Sequence, residues 1–185
     1  MDEFINKQTN SNSANAIDEA LFNDDGTDDI WEAARLGSLT GVKYYIHVNR
    51  SNLNNPQPFS NRTPLHWASD EGHLNVVRFL LSDLAAVDPK GEFRRTPLML
   101  ACRSGHISIV NLLLDNGADI NHADKDLETP LFEAIAGDHL DILKLLIRRG
   151  ANIKFKNDHG MTPLDYAISR GFRTPIVNYL KSLYD

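Results

Sequence analysis

Cysteine is almost missing from this chain: Cys102 is the one thiol in 185 residues. No intramolecular disulfide framework can form, which excludes the small secreted scaffolds that depend on one. Long apolar runs are missing too. None approaches the ~20 residues needed to cross a bilayer, so no membrane insertion is expected. Cations are in deficit, with 19 Lys and Arg against 25 Asp and Glu and a formal net charge of −6. Affinity for nucleic-acid backbones comes chiefly from Lys and Arg neutralising phosphates, so nucleic acid is not expected as a partner. The opening residues, MDEFINKQTNSNSANAIDEA, hold no apolar stretch flanked by basic residues, as a targeting peptide would. Taken with the single cysteine, this places the protein in the cytoplasm and/or nucleus as an expectation.

Catalytic chemistry is also hard to find. The seven histidines show neither HExxH nor paired Cys-x-x-Cys spacing, so no metal is expected. No glycine-rich phosphate loop follows a strand pattern, and no cofactor is expected. Cys102 falls on a small, core-facing position, where thiols are usually inert. Asp70 and Glu71 are adjacent on an outward helix face, which is the pattern of a solvated pair. The chain is therefore not expected to be an enzyme.

What the sequence does have is a period. TPLHWASDEGHLNVVRFLL starts at Thr63, TPLMLACRSGHISIVNLLL at Thr96, TPLFEAIAGDHLDILKLLI at Thr129, and TPLDYAISRGF at Thr162. The step is 33 residues each time, which marks an array whose units bury no apolar face alone. In each unit Thr sits where an N-cap belongs and Pro follows at the first helical position. Leu65 with Ala68, Leu98 with Ala101, Leu131 with Ala134, and Leu164 with Ala167 share a helix face. Gly72, Gly105 and Gly171 end the short first helix, with Asp138 in that place in one unit. The second helices carry Val76, Val77, Leu80 and Leu81, then Ile109, Val110, Leu113 and Leu114, then Ile142, Leu143, Leu146 and Ile147 at helical spacing.

The motifs TPLH, GH, IVNLLL and GADIN resemble the ankyrin repeat family in both residue and spacing. DDIWEAARLGSLTGVKYYI, with Gly37 aligned to Gly72, reads as a degenerate first unit followed by a loop two residues longer. The expected fold is an all-α ankyrin-repeat solenoid of helix-turn-helix units with extended hairpin loops. Its repeats are expected at 28–62, 63–95, 96–128, 129–161 and 162–185. Residues 1–27, rich in Asn, Ser and acids, are expected to be a disordered tail, with a helical turn at Ile17, Leu21 and Phe22 as the exception.

Stacked helix pairs make a curved array whose first helices and loop tips line one face. The fifth, eighth and ninth residues counted from Thr should point away from the core. The resemblance implies that partners contact these positions and the loop residues before each Thr. The expected binding set is Phe59, Arg62, Trp67, Asp70, Glu71, Phe93, Arg95, Leu100, Arg103, Glu133, Tyr166 and Arg170. Trp and Arg are common interface hot spots, and they cluster around the second and third units. Family members usually keep a glycine two places before Thr. Asn61, Arg94 and Leu127 replace it here and Gly160 retains it. His73, His106 and His139 recur at one phase, which implies a structural bond to the neighbouring loop. The resemblance also makes Asn121 a candidate for hydroxylation, beside its ordinary role as a loop bridge.

The function expected is a non-catalytic protein-protein interaction module that is monomeric by itself and acts as an adaptor, scaffold or stoichiometric inhibitor. The alternative is a permanently bound regulatory or targeting subunit of a larger enzyme or assembly. That second reading draws on an apolar C-terminal end, with Tyr179, Leu180, Leu183 and Tyr184 under little polar cover.

Overall fold

The computed structural model describes residues 26–171 and 174–183. Apart from Gly26 and Thr27, the expectation for the N-terminal tail lies outside the described residues, as does Tyr184. Among the described residues ten α-helices form five helix-turn-helix pairs and no strand occurs. The first helix of each pair is α1 (Ile30–Leu36), α3 (Pro64–Asp70), α5 (Pro97–Ser104), α7 (Pro130–Ala136) and α9 (Pro163–Ser169). The second is α2 (Leu39–Val48), α4 (Leu74–Ser82), α6 (Ile107–Asp115), α8 (Leu140–Arg148) and α10 (Thr174–Lys181).

The sequence signals account for most helix ends. Pro64, Pro97, Pro130 and Pro163 each open a helix, where a missing N–H costs nothing. Thr96 and Thr162 accept from the amides of Met99 and Asp165. Thr63 is tied instead to the His66 ring, and Thr129 makes no side-chain cap bond. Asp138 takes the left-handed conformation (φ 61°) that Gly72, Gly105 and Gly171 supply elsewhere.

The alanine phase does what its small side chain allows. Ala68, Ala101, Ala134 and Ala167 are fully buried, so neighbouring first helices pack closely along the array. Second helices touch one another more sparsely, and this imbalance bends the array toward the first-helix side. A single core runs through it, from Ile30 to Leu180.

The histidine phase is a ladder. The Nε2 atoms of His73, His106 and His139 bond the carbonyls of Arg35, Asp70 and Arg103 at 2.8, 2.9 and 3.1 Å. The partners are thus the ends of the preceding unit's first helix, not its loop. Helix-terminal carbonyls lack intrahelical donors, and an imidazole one unit away supplies them.

The C-terminal end is better covered than expected. Leu180 is fully buried, Tyr179 and Leu183 are half-buried, and Lys144 lies over the Tyr179 ring at 5.2 Å.

Leu84 breaks the pattern without an evident return. It has φ 68° and is 82% exposed, in the place where the next two units carry Gly117 and Gly150. A side chain in this region costs roughly 1–2 kcal/mol, of which glycine's greater unfolded-state entropy cancels part. Leu84→Gly is expected to stabilise the array by ~0.5–1 kcal/mol, read as a higher denaturation midpoint; a lower one would show that Leu84 makes a contact worth its strain.

Candidate functional site

The fourth place of each unit faces the following loop, and the residue there decides how that loop is held. In the first unit Trp31 Nε1 donates to the Asn55 carbonyl at 2.8 Å. In the second, the amide of Thr63 donates to His66 Nδ1, so Nε2–H is left to donate to the Arg95 carbonyl at 3.0 Å. His66 has no solvent exposure, and burial pulls its pKa down to about 4.

Met99 and Phe132 hold that place in the next units and cannot bond a loop. There the loops close themselves. Asp124 Oδ1 accepts from the amides of Asp126 and Glu128, and Asn157 Oδ1 from those of His159 and Met161. The loop under His66 carries Gly91 instead, and a Cβ there would come within 3.0 Å of His66 Nε2.

All four hairpin tips are close to one geometry. Gly91, Asp124 and Asn157 donate to the carbonyls of Arg95, Glu128 and Met161. The first loop has Pro58 at this phase, which has no N–H, so the bond shifts to Gln57, which donates to Arg62 O. Successive tips are stitched by Lys125 N–H to Phe93 O and Asp158 N–H to Asp126 O, at 3.0 and 3.1 Å. Asn61, Arg94 and Leu127 have φ of 53°, 63° and 56°, so the turn still demands the left-handed region after the glycine is lost.

Two polar groups of side chains occupy the face made by first helices and tips. In one, the Arg62 guanidinium lies over the Trp67 ring at 4.6 Å and pairs with Asp70 at 2.9 Å. Asp70 also accepts from Ser104 at 2.8 Å, so it joins two units and is not a solvated partner of Glu71, which is exposed.

In the other, Glu133 sits between Arg95 (3.2 Å) and Arg103 (3.0 Å), and Asp124 lies 3.5 Å from Arg95. The carboxylates of Asp124, Glu128 and Glu133 lie within 4.8 Å of one another, and the Arg95 guanidinium is the cation among them. Burial pushes the Glu133 carboxyl up, against the pull of the two arginines. Burial and repulsion from Glu133 push Glu128 up as well.

Three of the expected outward residues are not outward. Leu100, Glu133 and Tyr166 are 3%, 1% and 4% exposed. Each is the fifth residue from Thr, and the close stacking of first helices turns that position against the adjoining unit. Tyr166 packs edge-to-face on Phe132, with centroids 5.4 Å apart. Leu100 and Tyr166 instead line two cavities.

The smaller, of about 50 Å³, is bounded by Arg62, His66, Phe93, Arg95 and Leu100. The larger, of about 380 Å³, is bounded by Arg95, Arg103, Glu128, His159, Tyr166 and Arg170, among others. Arg170 covers the Tyr166 ring at 5.2 Å. Phe59 is fully exposed and Phe93 is 44% exposed under Lys125, whose Nζ lies 3.8 Å from the ring centroid.

Sequence reasoning passed over Asp124 and Glu128. The first shares its repeat phase with Asn157, a signal that comparing loops alone would have exposed. Cys102 is fully buried, and burial pushes its thiol well up, in keeping with a packing role. Asn121 is exposed, and its Oδ1 accepts from the Asn152 amide at 2.9 Å, which bridges two loops.

A family model for ankyrin repeats, in three copies, matches residues 30–124 and 120–184. The chain belongs to the ankyrin repeat family. A search of curated proteins finds no match. Ankyrin repeats are in general protein-protein interaction modules, so the partner class is protein. No helix among the described residues is long and apolar enough to cross a membrane. In this ankyrin array the two side-chain networks and both cavities lie on one face, spanning the second to the fifth unit.

Proposed function

We propose that this chain is a non-catalytic interaction module, an adaptor, scaffold or stoichiometric inhibitor, that holds one partner protein against its first-helix and hairpin-tip face. The observation that carries the reading is the pre-set surface of paired arginines and aromatic rings there. Arg62 is held on Trp67 by Asp70, and Arg95 and Arg103 are held by a buried Glu133. A guanidinium fixed by a buried carboxylate loses little conformational freedom when a partner arrives, which favours binding. Phe59, Glu71, Phe93 and Arg170 frame this surface, with Leu100 and Tyr166 as its floor.

The test is capture from a native lysate with wild type and a Trp67→Ala, Phe93→Ala, Arg103→Ala variant whose fold is checked by circular dichroism. Loss of a partner with the variant alone is expected. Equal recovery by both would move the interface elsewhere. The alternative, a permanently bound regulatory or targeting subunit, draws on the same C-terminal end, where Leu180 is buried and Tyr179 and Leu183 are half-buried. The family reading also makes Asn121 a hydroxylation target, to be checked as the mass gain of one oxygen atom on its peptide.

A further inference from the structure

Each unit after the first leans on the one before it through two places of its second helix. Phe79 and Tyr179 share the first place, and each lies beneath a lysine of the preceding unit, Lys43 at 5.4 Å and Lys144 at 5.2 Å. The second place, four residues on, holds Asp83, Asn116 and Arg149 in the next three units. Arg149 donates to Asp115 and Asn111 of the preceding unit at 2.8 and 3.0 Å. The Asp83 carbonyl accepts from Arg50 of the preceding unit at 2.9 Å. These places mark the side of a second helix that faces back along the array.

In α2 the same two places are Tyr44 and Val48. Helical residues four apart share a face, so they form one ridge. Val48 is 60% exposed, where the next three units carry polar side chains. An end unit needs a polar outer face, yet here the end unit is the one that turns apolar. Residues 1–25 lack the Thr-Pro and Gly-His landmarks, so they supply no further unit to cover it.

The chain nevertheless arrives beside this ridge with an apolar segment at hand. Thr27 is buried, and its carbonyl accepts from Tyr45 Oη at 2.7 Å, which fixes the entry to the array against α2. Gly26 turns there with φ 71°. Phe22 stands four residues earlier, within about 14 Å of extended chain. Ile17 and Leu21 are four apart with Phe22 beside them, and Asp18 and Glu19 lie between. That is the pattern of one amphipathic helical turn. Six acids and one lysine fall in residues 1–25, so a turn docked by its apolar side would give the end unit its polar exterior.

From this placement we infer that Ile17–Phe22 docks on the Tyr44–Val48 ridge of its own chain and caps the first unit. Ile17, Leu21 and Phe22 face the ridge, and Asp18 and Glu19 face water. The other apolar pair ahead of Gly26, Phe4 and Ile5, has no apolar partner at helical spacing and takes no part. The cap sits on the first unit, outside the docking face proposed above, and stands or falls separately from it.

Two measurements on the full chain test the cap. The first is disulfide cross-linking of Val48→Cys with Leu21→Cys or with Phe22→Cys, in which Cys102 is fully buried and does not compete. A bond within one chain is expected, read by mass spectrometry of the linked peptides. Phe4→Cys with Val48→Cys should give at least about tenfold less, as its effective concentration is lower. Equal yields from both ends of the segment, no bond at either position, or a bond between two chains would each overturn the inference.

The second is hydrogen exchange of Leu21→Ser with Phe22→Ser. Amides of α1 and α2 are expected to exchange at least about tenfold faster, with α5 to α8 unchanged. The control, Phe4→Ser with Ile5→Ser, should match wild type. Unaltered exchange in α1 and α2, or an equal rise in the control, would remove the cap.

Discussion

Phe132→Ala is expected to cost ~3–5 kcal/mol, the range for deleting a buried aromatic ring. The ring is fully buried and packs edge-to-face on Tyr166 of the last unit, at an interplanar angle of 78°. It occupies the place that carries the loop-bonding His66 two units earlier, so it is the apolar plug between the fourth and fifth units. Stability in a repeat array is close to a sum of units and neighbouring interfaces. The loss should therefore fall first on α9 and α10, with hydrogen exchange there rising before it rises in α3 to α6. A denaturant curve displaced by less than ~1 kcal/mol would mean that the cavity collapses without penalty.

The second large effect is on pH. His66 is neutral in the folded chain, with its pKa near 4 against an ordinary 6.5. The unfolded chain binds the proton first, so acid favours unfolding. The stability tied to this group is complete above pH ~6.5 and falls as pH drops toward ~4. It amounts to about 3 kcal/mol when the shift is converted at ~1.4 kcal/mol per unit.

Glu128 and Glu133 work in the opposite direction. Their folded pKa values are raised, so lowering the pH relieves a cost that they carry at neutrality. The comparison must therefore be made against His66→Met, the residue of the next unit at this place. Between pH 6.5 and 4 the wild type should lose ~3 kcal/mol more than this variant. Parallel curves would show that His66 is already protonated in the folded state. The Arg95 carbonyl is the acceptor released when the ring turns away, so acid should loosen the Phe93–Arg94 tip before the rest of the face.

The position of each sequence signal explains how far it could be read. Thr-Pro, the alanine and leucine phases, and the glycine or aspartate after each first helix act within one unit, over a few residues. Backbone sterics and helix periodicity set them locally, and Asn61, Arg94, Leu127 and Asp138 all take the left-handed conformation that their places in the repeat demand. Sequence alone thus determined the 33-residue period, the all-α architecture and the leucine and alanine positions that face the core.

Tertiary structure decided the rest. Leu100, Glu133 and Tyr166 read as outward because helical phase describes one helix in isolation. Only the separation between neighbouring first helices, set by alanines in both, turns the fifth position inward. That same approach brings Arg95, Arg103 and Asp124 around Glu133 from three different elements. It also makes His66 and Gly91 fit each other across 25 residues of sequence. Ion pairs and imidazole bonds depend on side-chain reach between units, a distance that no period of 33 residues encodes.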